Sequence, residues 1–126
     1  MDHRNVMACV TQQKTCKRLI KVAAEIKKEF GGKLFVVHVA RSNSNFLDNA
    51  KESEALGYLF DISKASGANL SVLKSDDIIN ALSNFINKKR INIVVMGKSP
   101  DKENRNRFVK DLKELVGEDV EIRVIN

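Results

Sequence analysis

The chain is short of several things that would have named a function class outright. It has 126 residues, with no tryptophan, one proline and two cysteines. Neither Cys9 nor Cys16 belongs to a Cys-x-x-Cys pair, and no histidine stands at zinc-ligand spacing from them, which sets aside zinc ribbons and paired-thiol redox motifs. No apolar run approaches the roughly 20 residues that a membrane helix needs. The start, Met1-Asp2-His3-Arg4, runs directly into an apolar segment with no signal-peptide layout, so a cytoplasmic location is expected and no membrane partner. Aromatic residues make up 6% and are not interleaved with the basic ones, as a single-strand nucleic-acid binder would require, so no nucleic acid is expected as a partner. No repeat, linker or low-complexity stretch divides the chain, and residues 1–126 read as a single domain long enough to bury a core.

What is present is a regular alternation. Asn5 to Val10 is a near-continuous apolar run, the pattern of a parallel strand buried on both faces. A helix follows, with Thr15 as a candidate cap and Leu19, Ile20, Ala23, Ile26 and Phe30 on its inner face. Gly31-Gly32 ends it. Lys33 to Val39 is a second strand. A Ser/Asn-rich loop covers Ala40 to Asn49. A second helix spans about Ala50 to Ser66, with Leu56, Leu59 and Phe60 expected inward. Asn69 to Lys74 alternates and reads as a third, partly exposed strand. The third helix shows the strongest signals. Ser75 is its expected cap, Asp76 and Asp77 fall in its first turn, and Lys88, Lys89 and Arg90 fall in its last. Its expected stripe is Ile78, Ile79, Leu82, Phe85 and Ile86. Ile91 to Met96 is the fourth strand, ending at Gly97. A polar loop from Lys98 to Asn106 leads to a helix carrying Phe108, Leu112, Leu115 and Val116, and Val120 to Ile125 closes the chain as a fifth strand. Strict strand–helix alternation implies an α/β fold, a three-layer open parallel sheet of five strands with helices on both faces and right-handed crossovers.

In such a sheet, ligands bind at the carboxyl ends of the strands, where neighbouring crossovers leave in opposite directions. The turns after the first and fourth strands are the natural walls of that crevice. The first offers Thr11, Gln12 and Gln13, a hydroxyl and two amides at a helix N-terminus whose free N–H groups favour an anion. The other offers Gly97 for close backbone approach, Lys98 as a point charge and Ser99 as a hydroxyl. The backbone of Val39, at the end of the second strand, could border a flat heterocycle. Together these seven suit a nucleotide or another phosphorylated molecule. Each has a plainer reading too. Gly97-Lys98-Ser99 alone is a tight turn and lacks the upstream glycine of a Walker loop. Gln12 and Gln13 can be ordinary loop residues. His38 reads as a satisfied strand residue. Arg105 and Arg107 read as solvated. Cys9 is a small core residue. Cys16 is either a small residue at a helix start or, beside Lys14, Lys17 and Arg18, a redox-responsive thiol. The net charge of +6 suits an anionic ligand weakly, since the basic residues are spread along helix faces. No nucleophile–base pair or catalytic carboxylate occupies the expected turns, so no enzymatic activity is expected. A receiver domain needs acidic residues where this chain has Thr11-Gln12-Gln13 and Lys74-Ser75, and is excluded.

At these residues the chain resembles the universal stress protein family over nearly its full length. The likeness rests on Cys9-Val10-Thr11 with Lys17-Arg18-Leu19-Ile20, on Leu73-Lys74-Ser75-Asp76-Asp77-Ile78 leading into Ala81-Leu82, and on Ile93-Val94-Val95-Met96-Gly97-Lys98-Ser99. Within the family it is most similar to the universal-stress-type domain of osmosensitive potassium-channel (Kdp-type) sensor histidine kinases. The resemblance implies an adenine-nucleotide-hydrolase-like sheet of order 3-2-1-4-5 with the first strand central, and a homodimer. It implies ATP, AMP or a cyclic dinucleotide as ligand. The phosphate loop of ATP-binding members, Gly-x-x-Gly followed by Gly-Ser or Gly-Thr, is matched here only at Gly97. Pro100 stands at the second glycine and Arg107-Phe108 in the region of the final pair. Gln12 or Gln13 replaces the ribose-binding carboxylate. The Ser-x-Ser turn of cyclic di-AMP sensors reads Thr11-Gln12-Gln13. Two functions are thus expected of the chain: a non-enzymatic signalling module reading a phosphorylated molecule, or a protein-interaction and dimerisation module of a stress or potassium-sensing kinase system with an empty crevice. The second would pair through the last strand, at Val120, Ile122 and Val124.

Overall fold

The computed structural model of the chain describes residues 4–10, 13–40, 50–97 and 102–125, with the backbone alone described at 13–16, 50–53, 55, 102, 104 and 105. Nine elements alternate: β1 (Arg4–Cys9), α1 (Gln13–Phe30), β2 (Gly31–Ala40), α2 (Ala50–Ala65), β3 (Asn69–Lys74), α3 (Ile78–Lys89), β4 (Ile91–Gly97), α4 (Lys102–Val116) and β5 (Glu121–Ile125). The sheet is parallel, five-stranded and ordered β3-β2-β1-β4-β5, as expected.

The core has two layers because successive side chains of a strand point to opposite faces. Val6, Ala8, Val10, Leu34, Val36, Ile93 and Val95 meet α1 and α2, with Leu19, Ile20, Ala23, Ile26 and Leu59. Met7, Cys9, Phe35, Val37 and Val94 meet α3 and α4, with Leu82, Phe85, Ile86 and Leu112. Phe35 and Phe85 stand edge to face, their centroids 5.6 Å apart. The central strand is therefore buried on both faces, which is why its sequence runs apolar without alternation.

Several element starts differ from the expectation. Helix α1 begins at Gln13, so Thr15 lies inside its first turn and is not its cap. Strand β2 begins at Gly31, which takes a positive φ of 73°. Ser75 and Asp76 precede α3. Asp77 is its cap, its carboxylate accepting from the Asn80 N–H, and no acidic residue lies in the first turn. Ser75 instead forms a small turn of its own, its hydroxyl accepting from the Asp77 N–H at 3.0 Å and donating to the Asp77 carbonyl at 3.1 Å. With the helix starting two residues later, Ile78 faces out and is 41% exposed. Arg90 is the left-handed cap at the other end, with φ 54° and its N–H donating to the Ile86 carbonyl. Helix α4 starts at Lys102, well before the expected end of the loop at Asn106. Phe60 points to solvent at 54% exposure, and Ser63 takes the inner position, its hydroxyl donating to the Leu59 carbonyl. Val120 is buried just before β5 and Leu115 is half exposed. The Ser/Asn-rich segment 41–49 lies outside the described residues.

The amino edge of the sheet is irregular. Arg4 pairs with Gly31 but Val6 with Leu34; Asn5 pairs with Ile91 but Val6 with Ile93. Strand β1 is thus one residue short against both neighbours. Such an irregularity strands backbone donors, and two side-chain amides recover them. The Asn5 N–H donates to Asn92 Oδ1 at 3.0 Å, and the Lys33 N–H donates to Asn5 Oδ1 at 3.0 Å. Gly32 fits here because a Cβ would stand 2.0 Å from the Arg4 carbonyl oxygen.

Candidate functional site

The switch point lies between β1 and β4. From β1 the chain crosses to β2 on one side, whereas β4 arrives from β3 and leads to β5 on the other. Cys9 pairs with both Val37 and Met96, so the ends of β1 and β4 are level. Val10 and Gly97, the last described residues before segments 11–12 and 98–101, therefore end at the same level of the sheet. This is the topology that opens a crevice at the carboxyl edge.

Of the seven residues singled out from sequence, Thr11, Gln12, Lys98 and Ser99 lie outside the described residues. Gln13 is described as backbone only, and it is the first residue of α1, not part of the preceding turn. Gly97 is the last residue of β4, half-buried and paired with Ile125. Among the described glycines, those with positive φ are Gly31, Gly67 and Gly117, and Gly97 is not one of them. Val39 is half-buried, pairs with Leu73, and packs on the α3–α4 face with Met96. Val39 and Gly97 sit on β2 and β4, either side of β1.

His38 does more than sequence reasoning assigned to it. The Val10 N–H donates to the Val37 carbonyl at 2.9 Å, which carries the β1–β2 pairing one residue past the strand. The Val10 carbonyl is then taken by His38 Nδ1 at 2.9 Å. A carbonyl can only accept, so Nδ1 carries the proton. An imidazole thus holds the last described residue before the β1–α1 turn. The satisfied strand histidine expected from the sequence is what the structure contains, and its partner is the crevice wall. The signal was a polar residue in an apolar run at a strand's carboxyl end. Next to it, the Ser75 N–H donates to the Ala40 carbonyl at 2.8 Å and ties the exits of β2 and β3 together.

Burial pushes the Cys9 thiol up to about 12. It is therefore a core filler and not a nucleophile at neutral pH. The side chain of Cys16 is outside what is described. Among the described residues no three His, Cys, Asp or Glu side chains converge to hold a metal ion. Among them, too, no helix is long and apolar enough to cross a membrane.

No family model matches the sequence, and no curated protein matches it. Solved structures do match. One is a universal stress protein in complex with cAMP, with a TM-score of 0.70 and 13% identity, covering 100% of this chain and 98% of the other. The fold is that of universal stress proteins. A second match, the Archaeoglobus fulgidus universal stress protein in complex with dAMP, has a TM-score of 0.66 and 16% identity over 99% of this chain and 98% of its own. The universal-stress fold also recurs within a larger enzyme. A class III photolyase from Agrobacterium tumefaciens matches at a TM-score of 0.69 and 19% identity, over 99% of this chain but 26% of its own. At such identities the likeness concerns the fold, and function has to be argued from the site.

Proposed function

We propose that the chain is a ligand-reading module that takes an adenine nucleotide, or a similar phosphorylated molecule, between the carboxyl ends of β1 and β4. The observation that carries this reading is the level pairing of Cys9 with Met96 at the switch point, which sets Val10 beside Gly97 where the chain leaves β1 and β4. The cAMP and dAMP complexes of two similarly folded proteins favour an adenine ligand. In this reading Thr11, Gln12 and the backbone of Gln13 receive the polar part of the ligand, Gly97 allows close approach, and Lys98 and Ser99 contact phosphate. Val39 borders the base. The module signals by binding, without turnover, in the cytoplasm, and a sensor kinase is its partner class. Melting the protein with ATP, AMP and cyclic dinucleotides in turn tests this. A ligand at 100 times its Kd raises stability by about 2.7 kcal/mol. The midpoint is expected to rise with at least one of them and not to rise in Lys98→Ala. A flat response to all of them overturns the nucleotide reading, and phosphate release above the Lys98→Ala control overturns the absence of turnover.

A second reading is favoured by strand β5. It is an edge strand, with Ile122 half-buried and Val124 40% exposed. Unpaired edges carrying apolar side chains favour pairing with another chain. A homodimer through this edge is compatible with either an occupied or an empty crevice. Light scattering that reports a monomer at high concentration counts against it.

A further inference from the structure

The opposite edge of the sheet carries a feature that the crevice does not use. A cleft of about 590 Å³ opens at the amino ends of β1, β2 and β3 beside the end of α3. Lys33, Lys88, Lys89 and Arg90 line it, together with Asn69 and Ser71. None of its described lining residues is acidic, and none of the four cations has an ion-pair partner among the described residues. Four of the chain's basic residues thus converge on one concavity in a protein whose net charge is +6.

A helix C-terminus ordinarily repels anions, because its last carbonyls are negative. Here two carbonyls at that end are covered. Asn5 Nδ2 donates to the Lys89 carbonyl at 3.0 Å and to the Arg90 carbonyl at 3.3 Å. Its Oδ1 meanwhile holds the Lys33 N–H. One side-chain amide therefore clamps the backbones of three of the four cations. The Arg90 N–H is spent on Ile86, which fixes that residue's left-handed turn. Lys89 Nζ lies 5.9 Å from the centre of the Phe35 ring, which restrains that side chain. Charges carried on a fixed backbone lose less freedom on binding than the same charges on a mobile segment.

We propose that this amino-edge cleft is a second anion site, taking a small molecule that carries two or more phosphate groups. The volume lies in the range of small-molecule sites, about 300–1,000 Å³. An arginine fork and three ammonium groups match several phosphate oxygens at once. Asn69 and Ser71 add neutral polar groups on the β3 side. The site is independent of the crevice, which lies at the other end of the same strands.

Inorganic tripolyphosphate is the probe. It is titrated into the isotope-labelled full chain at low salt, and amide shifts are followed by NMR. Saturable shifts are expected at Asn5, Lys33, Ser71, Lys89 and Arg90. The double change Lys33→Gln and Arg90→Gln alters exposed side chains and is expected to weaken binding at least tenfold. Asn5→Asp, which cannot donate to the two carbonyls, is expected to weaken it as well. Shifts spread evenly over the lysines of α1 and α4, or confined to the carboxyl edge around Val39 and Gly97, overturn the proposal. So does equal affinity in the double variant. Because the shift map separates the two edges, failure of the crevice to bind nucleotide leaves this result readable, and the reverse holds too.

Discussion

The two edges of the sheet are built by opposite means. At the carboxyl edge the strands stay in regular register to their ends, and the switch point comes from chain direction alone. Cys9 sits level with Val37 and Met96, and one imidazole, His38, finishes the last carbonyl. At the amino edge the register breaks, and side-chain amides from Asn5 and Asn92 replace the missing ladder bonds. The first edge is cheap to vary in sequence, since strand order preserves the switch point. The second depends on individual residues, because each repaired bond has a single donor or acceptor.

That contrast can be broken by mutation, and the largest effect belongs to the amino edge. Gly32→Ala would place a methyl 2.0 Å from the Arg4 carbonyl oxygen and drive β1 from β2. Urea unfolding is expected to show a loss of about 3 kcal/mol. A loss within experimental error would mean that the close approach is relieved elsewhere. Next comes Asn5→Ala, which orphans the Lys33 N–H and uncovers two carbonyls. Water reaches these groups in part, so about 2 kcal/mol is expected. The carboxyl edge should respond less. His38→Ala removes one bond to Val10 and is expected to cost about 1 kcal/mol, with a smaller nucleotide-induced rise in melting midpoint. If His38→Ala proves as damaging as Asn5→Ala, the asymmetry between the edges is wrong.

The smallest effect at neutral pH is that of Cys9. Its folded pKa is raised by burial from 9.0 to about 12, so the folded state keeps its proton where the unfolded chain releases it. That contribution to stability is whole below pH 9 and is lost as pH climbs from 9 towards 12. Cys9→Ala is expected to flatten the alkaline slope of stability and to change nothing in that slope below pH 8. A thiol reagent at pH 8 should leave Cys9 unmodified until the chain is unfolded, and rapid modification of the native protein would contradict its burial.

The strands and their order were legible because burial on both faces leaves a continuous apolar run, as at Asn5 to Val10, and strict alternation admits few topologies. Helix starts were less legible. Ser75, Asp76 and Asp77 are all competent caps, and only the backbone angles decide among them; Ser75 spends its hydroxyl on Asp77, which leaves Asp77 to cap. The first turns of α4 carry no apolar residue before Phe108, so periodicity could not detect them. In α2, Leu59 and Phe60 are adjacent and equally apolar, so composition could not say that Leu59 would take the core and Phe60 the solvent. The amino-edge cleft was not legible at all. Asn5 meets Lys89 and Arg90 at sequence separations of 84 and 85 residues, and no local pattern records such a meeting. The switch point was legible through the strand endings, while the role of His38 waited on its partner.

Every polar atom of the Asn5 side chain is engaged, the oxygen as acceptor and the nitrogen as donor twice over. Its shape is therefore not its essential property. Hydrolysis of that amide to the acid would leave the outline unchanged and turn two attractions into repulsions, so ageing chemistry at a single atom would loosen the seam joining the start of the chain to its middle.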